Sequence, residues 1–198
     1  RNAHAQTCFA SMIRTKQKAM ARDERLELPD GDFVDLTWFG TGIGPVIIIL
    51  HGLGGSGESA YARGIVGPLT DRGFRVVIMH FRGCSGVPNR KLRAYHSGET
   101  EDFRYLVSVL RERLGSTPLG AVGYSLGGNV LLKYLGEEGE RASLDAAVSV
   151  CAPLVLSKCA ERLGRGLSRV YQWYLLISLK RGLREKMRSM GAGLHLGL

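Results

Sequence analysis

The sequence predicts an α/β protein with a mostly parallel sheet flanked by helices, and three observations lead to this fold class. Short runs of apolar, largely β-branched residues, typical of buried parallel strands, recur along the chain. Segments with apolar residues at helical spacing lie between these runs. No internal repeat or low-complexity linker interrupts the alternation, which is typical of a doubly wound sheet. The predicted parallel strands cover residues 46–50, 75–79, 119–123 and 145–151.

The other elements each have a sequence signature of their own. An alternating pattern over 33–38 follows a Pro-Asp-Gly turn and predicts an antiparallel strand. A helix over 100–114 begins with acidic residues and ends with basic ones, which suits the helix dipole. Further helices are predicted over 125–135 and, interrupted by two glycines and a proline, over roughly 58–71. After Pro153 the sequence becomes amphipathic and Arg-rich, which predicts helices without strands.

Composition and charge narrow the class of protein. The chain has 198 residues, 44% of them hydrophobic, and a net charge of +9, as expected for one globular domain. Residues 1–22 carry +5, residues 158–188 carry +7 and residues 23–157 carry −3. Basic flanks are able to bind nucleic acid or anionic membranes. The sequence lacks the interleaved aromatics of nucleic-acid modules, so we expect a solvated basic surface, no nucleic-acid partner and at most peripheral membrane contact.

Several other features are absent from the sequence. No apolar stretch of about 18 residues predicts a membrane-spanning helix, and residues 1–20 lack the pattern of a signal peptide. The four cysteines form no Cys-x-x-Cys pair, so we expect reduced, mostly buried thiols in a cytoplasmic protein with no metal. No organic cofactor is predicted either.

The chemistry is carried by a Gly-x-Ser-x-Gly motif over 123–127, between a predicted strand and a predicted helix. This context predicts a sharp turn that holds Ser125 in a strained backbone conformation and exposes its hydroxyl. Gly123 and Gly127 are needed because a Cβ at either position would collide across the turn. We therefore expect Ser125 to be a nucleophile at a helix N-terminus, where backbone amides favour developing negative charge.

A His-Gly-Leu-Gly-Gly loop directly follows the strand 46–50, where such a fold places half of its oxyanion hole. The two predicted donors are the backbone N–H groups of Leu53 and Leu126. The His51 side chain is expected to anchor the loop rather than to act as a base. The residues expected to support the loop and the turn are His51, Gly52, Gly54, Gly55, Gly123 and Gly127.

The same glycines raise an alternative, since Gly52, Gly54 and Gly57 match a dinucleotide-binding Gly-x-Gly-x-x-Gly pattern. That pattern requires an acidic residue about 20 positions on, at a strand end. The nearest candidate, Asp71, belongs to a helix-ending turn. The loop also lacks the Lys-Ser/Thr ending of a P-loop. The sequence therefore favours neither a dinucleotide-binding site nor a P-loop.

Over residues 2–188 the chain resembles the YheT-like branch of the α/β-hydrolases, often called type 4. The motifs that carry the resemblance are NAHAQT (2–7), LPDGD (28–32), HGLGGSGESAYARG (51–64), MHFRGCSGVPNR (79–90), YHSGETEDFR (95–104), VGYSLGGN (122–129), LDAAVSVCAP (144–153) and SRVYQWYL (168–175). The resemblance implies an α/β-hydrolase fold and ester-hydrolase activity on a small-molecule substrate, and the apolar residues of the segment 154–185 add lipid-like esters to the candidate substrates. It places the nucleophile at Ser125 and the oxyanion loop at 51–55. The acids of the YHSGETED signature are expected to start a helix, and His96 to hydrogen-bond a loop.

The sequence departs from this family after Ser125. The triad order in the fold is Ser, Asp or Glu, then His, and in the family both partners follow two further strands. Asp145 is expected to be a turn residue at the opposite sheet edge, and His195, in an atypical tail, is not expected to be the base. The resemblance therefore implies a C-terminally truncated chain that lacks the last strands and the triad Asp and His. The strand at 145–151 would then present an open apolar edge and favour self-association.

We expect four segments and weigh three functions. The segments are a basic N-terminal segment (1–22), an incomplete hydrolase core (23–153), a lid-like helical segment (154–188) and an atypical tail (189–198). The apolar residues of the lid either face an acyl chain or pack on the sheet, and packing is favoured.

The preferred function is a serine-type carboxylic-ester hydrolase, weak or inactive as this fragment. The alternatives are an acyl-binding or scaffold protein that has lost catalysis, and an acyltransferase of the same fold.

Overall fold

The computed structural model describes residues 21–191, which form one six-stranded sheet with helices on both faces. The strands are β1 (Ala21–Glu27), β2 (Phe33–Phe39), β3 (Val46–Leu50), β4 (Arg75–His80), β5 (Leu119–Tyr124) and β6 (Ala146–Val150). The helices are α1 (Ala60–Thr70), α2 (Glu101–Leu114), α3 (Leu126–Glu138), α4 (Leu156–Leu163) and α5 (Ser168–Ser189), with a 3₁₀ turn at Gly139–Arg141. The predicted fold class is confirmed.

The strand order is β1-β2-β4-β3-β5-β6. The strands β4, β3, β5 and β6 run parallel, whereas β2 pairs with β1 and β4 in antiparallel fashion. In the central register Ile48 of β3 lies between Val77 of β4 and Ala121 of β5. The continuous apolar runs therefore form the buried centre of the sheet, as parallel strands covered on both faces require.

Two apolar clusters fill the two faces of the sheet. On one face α2 and α3 bury residues such as Phe103, Leu106 and Val130 against the strands. On the other face α1 buries Ala62 and Val66 against the opposite side of β3 and β4. This doubly covered sheet fixes the carboxyl ends of β3 and β5 beside each other, and the candidate site lies there.

The strand β1 was not predicted from the sequence. Its residues, Ala-Arg-Asp-Glu-Arg-Leu-Glu, are mostly charged, and only Leu26 is buried. It forms because every residue pairs with β2, from Ala21 opposite Phe39 to Glu27 opposite Phe33. The expected boundary at residue 22 thus falls inside a strand, while the rest of the basic segment, residues 1–20, lies outside the described residues.

The segment after Pro153 is helical, as predicted. Within residues 21–191 no helix is both long and apolar enough to cross a bilayer. Three cysteines of this range, Cys84, Cys151 and Cys159, are free, and Cys8 lies outside it. Cys151 and Cys159 are exposed, so the expectation of mostly buried thiols is wrong for these two. Most of the predicted atypical tail, including His195, also lies outside the described residues.

Candidate active site

Ser125 occupies a sharp turn between β5 and α3. Its φ of 52° and ψ of −114° lie in a region that L-residues rarely adopt. Its backbone N–H donates to the carbonyl oxygen of Val150 at 2.8 Å, and its own carbonyl accepts from the N–H of Asn129 at 3.0 Å. The residue is exposed. The neighbouring strand and the first helical turn therefore hold the strained backbone in place while the side chain faces outward.

The glycines on either side of the serine are sterically required. A Cβ at Gly123 would lie 2.5 Å from the carbonyl oxygen of Gly127. A Cβ at Gly127 would lie 2.5 Å from the carbonyl oxygen of Leu50 and 2.6 Å from that of His51. These are backbone atoms, so a larger residue could not be accommodated by rotating a side chain. The close approach brings α3 directly against the end of β3.

The same approach brings the 51–55 loop beside the serine. A Cβ placed on Gly52 would lie 3.3 Å from the Cβ of Ser125 and 3.4 Å from the hydroxyl of Tyr61. Gly54 has a φ of +64°, which permits the loop to turn back on itself. The loop and the serine thus form one continuous surface at the carboxyl ends of β3 and β5.

Hydrogen bonding separates the amides of this loop into bound and free groups. The Gly52 N–H donates to the Tyr61 hydroxyl at 2.7 Å, and the Gly54 N–H donates to the Tyr95 hydroxyl at 2.9 Å. The Gly55 N–H donates to the carbonyl oxygen of Gly52 at 3.0 Å. No acceptor among residues 21–191 pairs with the N–H of Leu53, or with that of Leu126 at the start of α3. Leu53 and Leu126 are the residues whose amides the sequence predicts as oxyanion donors, and both amides are unpaired within the described residues.

The His51 side chain is buried and fully engaged. Its Nδ1 lies 2.8 Å from the carbonyl oxygen of Gly52, and its Nε2 accepts the N–H of Phe81 at 3.1 Å. This arrangement assigns the proton to Nδ1, because Nε2 receives a backbone donor. Burial lowers the pKa of His51 to about 4, so the ring is neutral near pH 7. These contacts link the loop to the residue that follows β4, and neither ring nitrogen is free for base chemistry.

The remaining described histidines and Asp145 also have structural contacts. The ring of His80 hydrogen-bonds Thr37 through Nε2 at 3.0 Å, and His96 Nδ1 accepts the N–H of Gly98 at 3.1 Å, a loop contact of the kind expected. Asp145 accepts the Leu119 N–H at 2.7 Å, at the end of β5 opposite the serine. Between residues 21 and 191 no histidine hydrogen-bonds Ser125.

The YHSGETED segment, whose role the sequence did not explain, supports the site. Tyr95 stacks on Phe81 with ring centroids 5.2 Å apart and accepts the Gly54 amide through its hydroxyl. Asp102, in the first turn of α2, forms a two-point ion pair with buried Arg82 at 2.6 and 2.7 Å. Helix initiation was therefore only part of the function of these acids. Sequence reasoning missed Tyr61, Tyr95 and Arg82 as supporting residues, although all three lie inside motifs that carry the family resemblance.

A cleft of about 1260 Å³ opens beside the loop and extends between residues 83–88 and α5. Leu53 and Tyr95 line it from the loop side, and Ser178 and Leu183 line it from α5. A Cβ on Gly54 would lie only 3.3 Å from the Ser178 hydroxyl. The helix α5 therefore contacts the 51–55 loop at Gly54. In the described part of the chain no group of His, Cys, Asp and Glu could hold a metal ion.

A mainly parallel sheet with helices on both faces and a serine at its strand-to-helix turn defines an α/β-hydrolase. The family model described as "alpha/beta hydrolase fold" matches residues 45–176, and the chain belongs to this family. It is similar to the "Putative esterase YheT" of Escherichia coli K12, with 46% identity over all of this chain and 59% of that protein. The chain is accordingly a YheT-like member of the family.

Two further comparisons agree with this assignment. A region covering 59% of this chain is 37% identical to 26% of the "Monoacylglycerol lipase" of Saccharomyces cerevisiae. An esterase structure from Pyrococcus furiosus superposes with a TM-score of 0.63 at 21% identity, over 83% of this chain and 63% of the other. The second similarity concerns the fold alone. The chain spans between about a quarter and three fifths of the length of these two curated relatives.

Proposed function

We propose that Ser125 is the nucleophile of a serine-type carboxylic-ester hydrolase, with the backbone N–H groups of Leu53 and Leu126 as its oxyanion donors. The observation that carries the proposal is the coincidence of an exposed serine on a strained turn with the two unpaired amides beside it. Backbone amides held in place before reaction stabilise the charge that develops on a carbonyl oxygen at no reorganisation cost.

In this mechanism the Ser125 hydroxyl oxygen attacks the ester carbonyl carbon and forms a tetrahedral intermediate. The carbonyl oxygen takes up negative charge between the Leu53 and Leu126 amides, and expulsion of the alcohol leaves an acyl-enzyme that water hydrolyses. The serine proton must pass to a base. His51 is excluded from that role because both of its nitrogens are occupied. Among residues 21–191 no histidine contacts Ser125, and a serine without a paired base keeps only the roughly 10³–10⁴-fold acceleration that oxyanion stabilisation and binding supply.

The proposed substrate is a small-molecule ester, with lipid-like esters included. The names of the relatives support this class, since one is named an esterase and another a monoacylglycerol lipase. The cleft that Leu53 and Gly54 line gives room for a medium-sized acyl or alcohol group next to the loop, although Ser125 is not among its lining residues.

A fluorophosphonate probe tests the nucleophile directly. We expect the wild-type chain to be labelled on Ser125 and the Ser125→Ala variant to remain unlabelled by intact mass. Ser108→Ala is the matched control, since Ser108 is an exposed serine on α2 whose hydroxyl bonds only within its own helix. Labelling that persists in Ser125→Ala would show that the reactive group lies elsewhere.

A second function, binding of an acyl group without catalysis, is favoured by one observation: Ser125 has no histidine partner among residues 21–191. The two functions differ in turnover. Ester binding that Ser125→Ala leaves unchanged, together with no labelling of the wild type, would support the binding function. Where labelling occurs, adding an alcohol as acceptor separates hydrolysis from acyl transfer.

A further inference from the structure

The helix α5 has an outward face that is apolar at one end and basic at the other. Ser178 and Lys186 turn inward, against Gly54 and Asn89 respectively. Residues 173, 177, 180 and 184 follow one another at spacings of four, three and four, so they form a stripe on the opposite side. In that stripe Trp173 is 66% exposed and Ile177 is 46% exposed. A soluble surface rarely leaves such large apolar side chains together in water.

The basic half of the stripe is largely free of partners. Residues 158–188 carry nine basic residues and only two acidic ones. Lys180 and Arg184 form no ion pair with any described residue, whereas Arg181 pairs with Glu185 at 3.0 Å. Lys186 is different, because it is buried and donates to Asn89 at 2.7 Å. The outward charge is therefore available to a partner, and its sign requires that the partner be anionic.

We propose that this face of α5, the stripe Trp173-Ile177-Lys180-Arg184 with the neighbouring Val170, docks on an anionic lipid surface. A tryptophan and aliphatic side chains insert at the boundary of headgroups and acyl chains, and lysine and arginine contact phosphate oxygens. A second copy of the chain would bring two strongly basic faces together, which charge repulsion opposes. A nucleic acid would leave Trp173, Ile177 and Val170 without apolar contacts. An anionic lipid surface satisfies both halves of the stripe.

Docking of α5 on a lipid surface would also place the cleft close to that surface. Because Ser178 lies against Gly54, a docked α5 brings the oxyanion loop and the cleft close to the lipid. An ester that partitions into the bilayer would then reach the cleft without crossing water. This consequence rests on the proposed function, whereas the docking itself does not require Ser125 to react.

The test uses the 198-residue chain with vesicles of pure phosphatidylcholine and of phosphatidylcholine with phosphatidylglycerol. We expect co-sedimentation with the anionic vesicles and little with the neutral ones, and release as salt is raised. The chain has two tryptophans, so Trp38→Phe leaves Trp173 as the single fluorophore. Brominated lipid included in the anionic vesicles should then quench that fluorescence, because Trp173 would lie at the acyl-chain boundary.

Variants in the basic and in the apolar half of the stripe are each compared with the same kind of change elsewhere on the surface. The Lys180→Ser/Arg184→Ser variant should weaken binding to anionic vesicles by roughly 25-fold, since each basic residue near the surface contributes about fivefold. The control Arg72→Ser/Arg141→Ser removes the same charge from two exposed positions elsewhere and should bind nearly as the wild type. Trp173→Ser/Ile177→Ser should abolish co-sedimentation with anionic vesicles, whereas Ile43→Ser, at a 94% exposed loop position, should not.

Several results would overturn the proposal. Equal binding to neutral and anionic vesicles would remove the electrostatic argument, and an unquenched Trp173 in vesicle-bound protein would remove the insertion argument. If sedimentation without lipid shows an oligomer that Trp173→Ser/Ile177→Ser dissociates, the face is a contact between copies. Binding to single-stranded RNA that competes fully with the anionic vesicles would make the face a nucleic-acid site. None of these readouts depends on catalysis, so failure of the proposed hydrolase function would leave this result intact.

Discussion

At the scale of single residues, strain and exposure at Ser125 have the same cause. The backbone must change from a strand to a helix within one residue, and the positive φ that this requires costs about 1–3 kcal/mol for a residue other than glycine. The hydrogen bond to Val150 and the carbonyl contact with Asn129 hold that conformation. A serine without a chemical role could have been a glycine here, which would remove the strain.

The steric requirement at residue 127 gives a direct prediction. Gly127→Ala places a methyl group against the Leu50 and His51 carbonyls, and we expect it to lower the free energy of unfolding by about 1–3 kcal/mol. Gly136→Ala is the matched control in the same helix. A Cβ at Gly136 meets nothing within 4 Å, so this change should raise stability by about 0.5–1 kcal/mol. Urea unfolding of both variants measures the difference, and equal effects would contradict the close approach of α3 and β3.

The buried His51 predicts a specific pH dependence. Burial lowers the pKa of His51 in the folded chain to about 4, against about 6.5 when unfolded. Between pH 4 and pH 6.5 the unfolded state therefore binds more protons at His51 than the folded state does. The contribution of His51 to the free energy of unfolding is complete above about pH 6.5 and declines as the pH falls toward 4. Unfolding free energies at several pH values should show the decline, and His51→Gln should reduce its slope. A ring that titrates near pH 6.5 by NMR in the folded chain would argue against the Phe81 and Gly52 contacts.

At the scale of elements, a buried charge network connects the β1–β2 turn, the loop after β4 and the start of α2. Arg82 is 4% exposed and contacts Asp102 as well as Asp30 at 2.8 Å and Asp32 at 3.0 Å. Burial alone would raise the pKa of Asp32, but hydrogen bonds from Asn89 and from three backbone amides hold it at about 2. The network therefore ties three segments together next to Phe81, the residue that contacts His51.

Removing Arg82, the cation at the centre of this network, should lower the stability of the folded chain strongly. Arg82→Ala leaves buried carboxylates without their cation, and we expect a loss of about 3–5 kcal/mol in unfolding free energy. Arg90→Ala is the control, because Arg90 also contacts a carboxylate, that of Glu27 at 2.9 Å, but both side chains are about half exposed or more. An exposed pair contributes at most about 1 kcal/mol. Thermal or urea unfolding of the two variants compares them, and similar losses would mean that Arg82 is not the organising cation.

The elements also show what could be predicted from the sequence. The central strands and the serine turn were predictable because their signals are local, whether a continuous apolar run such as Val46–Leu50 or a five-residue motif. The strand β1 was not, because its charged residues satisfy their hydrogen bonds through pairing and leave no apolar pattern. The Arg82–Asp102 pair and the Tyr61 and Tyr95 contacts join residues 9 to 41 positions apart. Contacts of that kind follow from the tertiary fold and not from any local pattern.

At the scale of the whole molecule, β6 is an edge strand within the described residues. It pairs with β5 on one side, and Val148 at its centre is 53% exposed. The exposed strand has a physical consequence for the chain itself, because unpaired edges template association.

We predict that the 198-residue chain self-associates at micromolar concentration through β6. Val148→Lys should shift sedimentation velocity profiles toward the monomer, since a lysine on an edge strand opposes further pairing. Ile43→Lys adds the same charge on a distant loop and should leave the profile unchanged. A wild-type chain that stays monomeric at every concentration, with a sharp thermal transition, would contradict this prediction.

The most direct test of the account is a structure of the chain after reaction with an organophosphonate. We predict phosphorus bonded to the Ser125 hydroxyl oxygen, with one phosphonyl oxygen about 2.7–3.1 Å from both the Leu53 and the Leu126 backbone nitrogens. The 51–55 loop should keep its hydrogen bonds to Tyr61 and Tyr95. A phosphonyl oxygen that points away from these two amides, or an adduct on another residue, would contradict the assignment of this turn and loop as the catalytic centre.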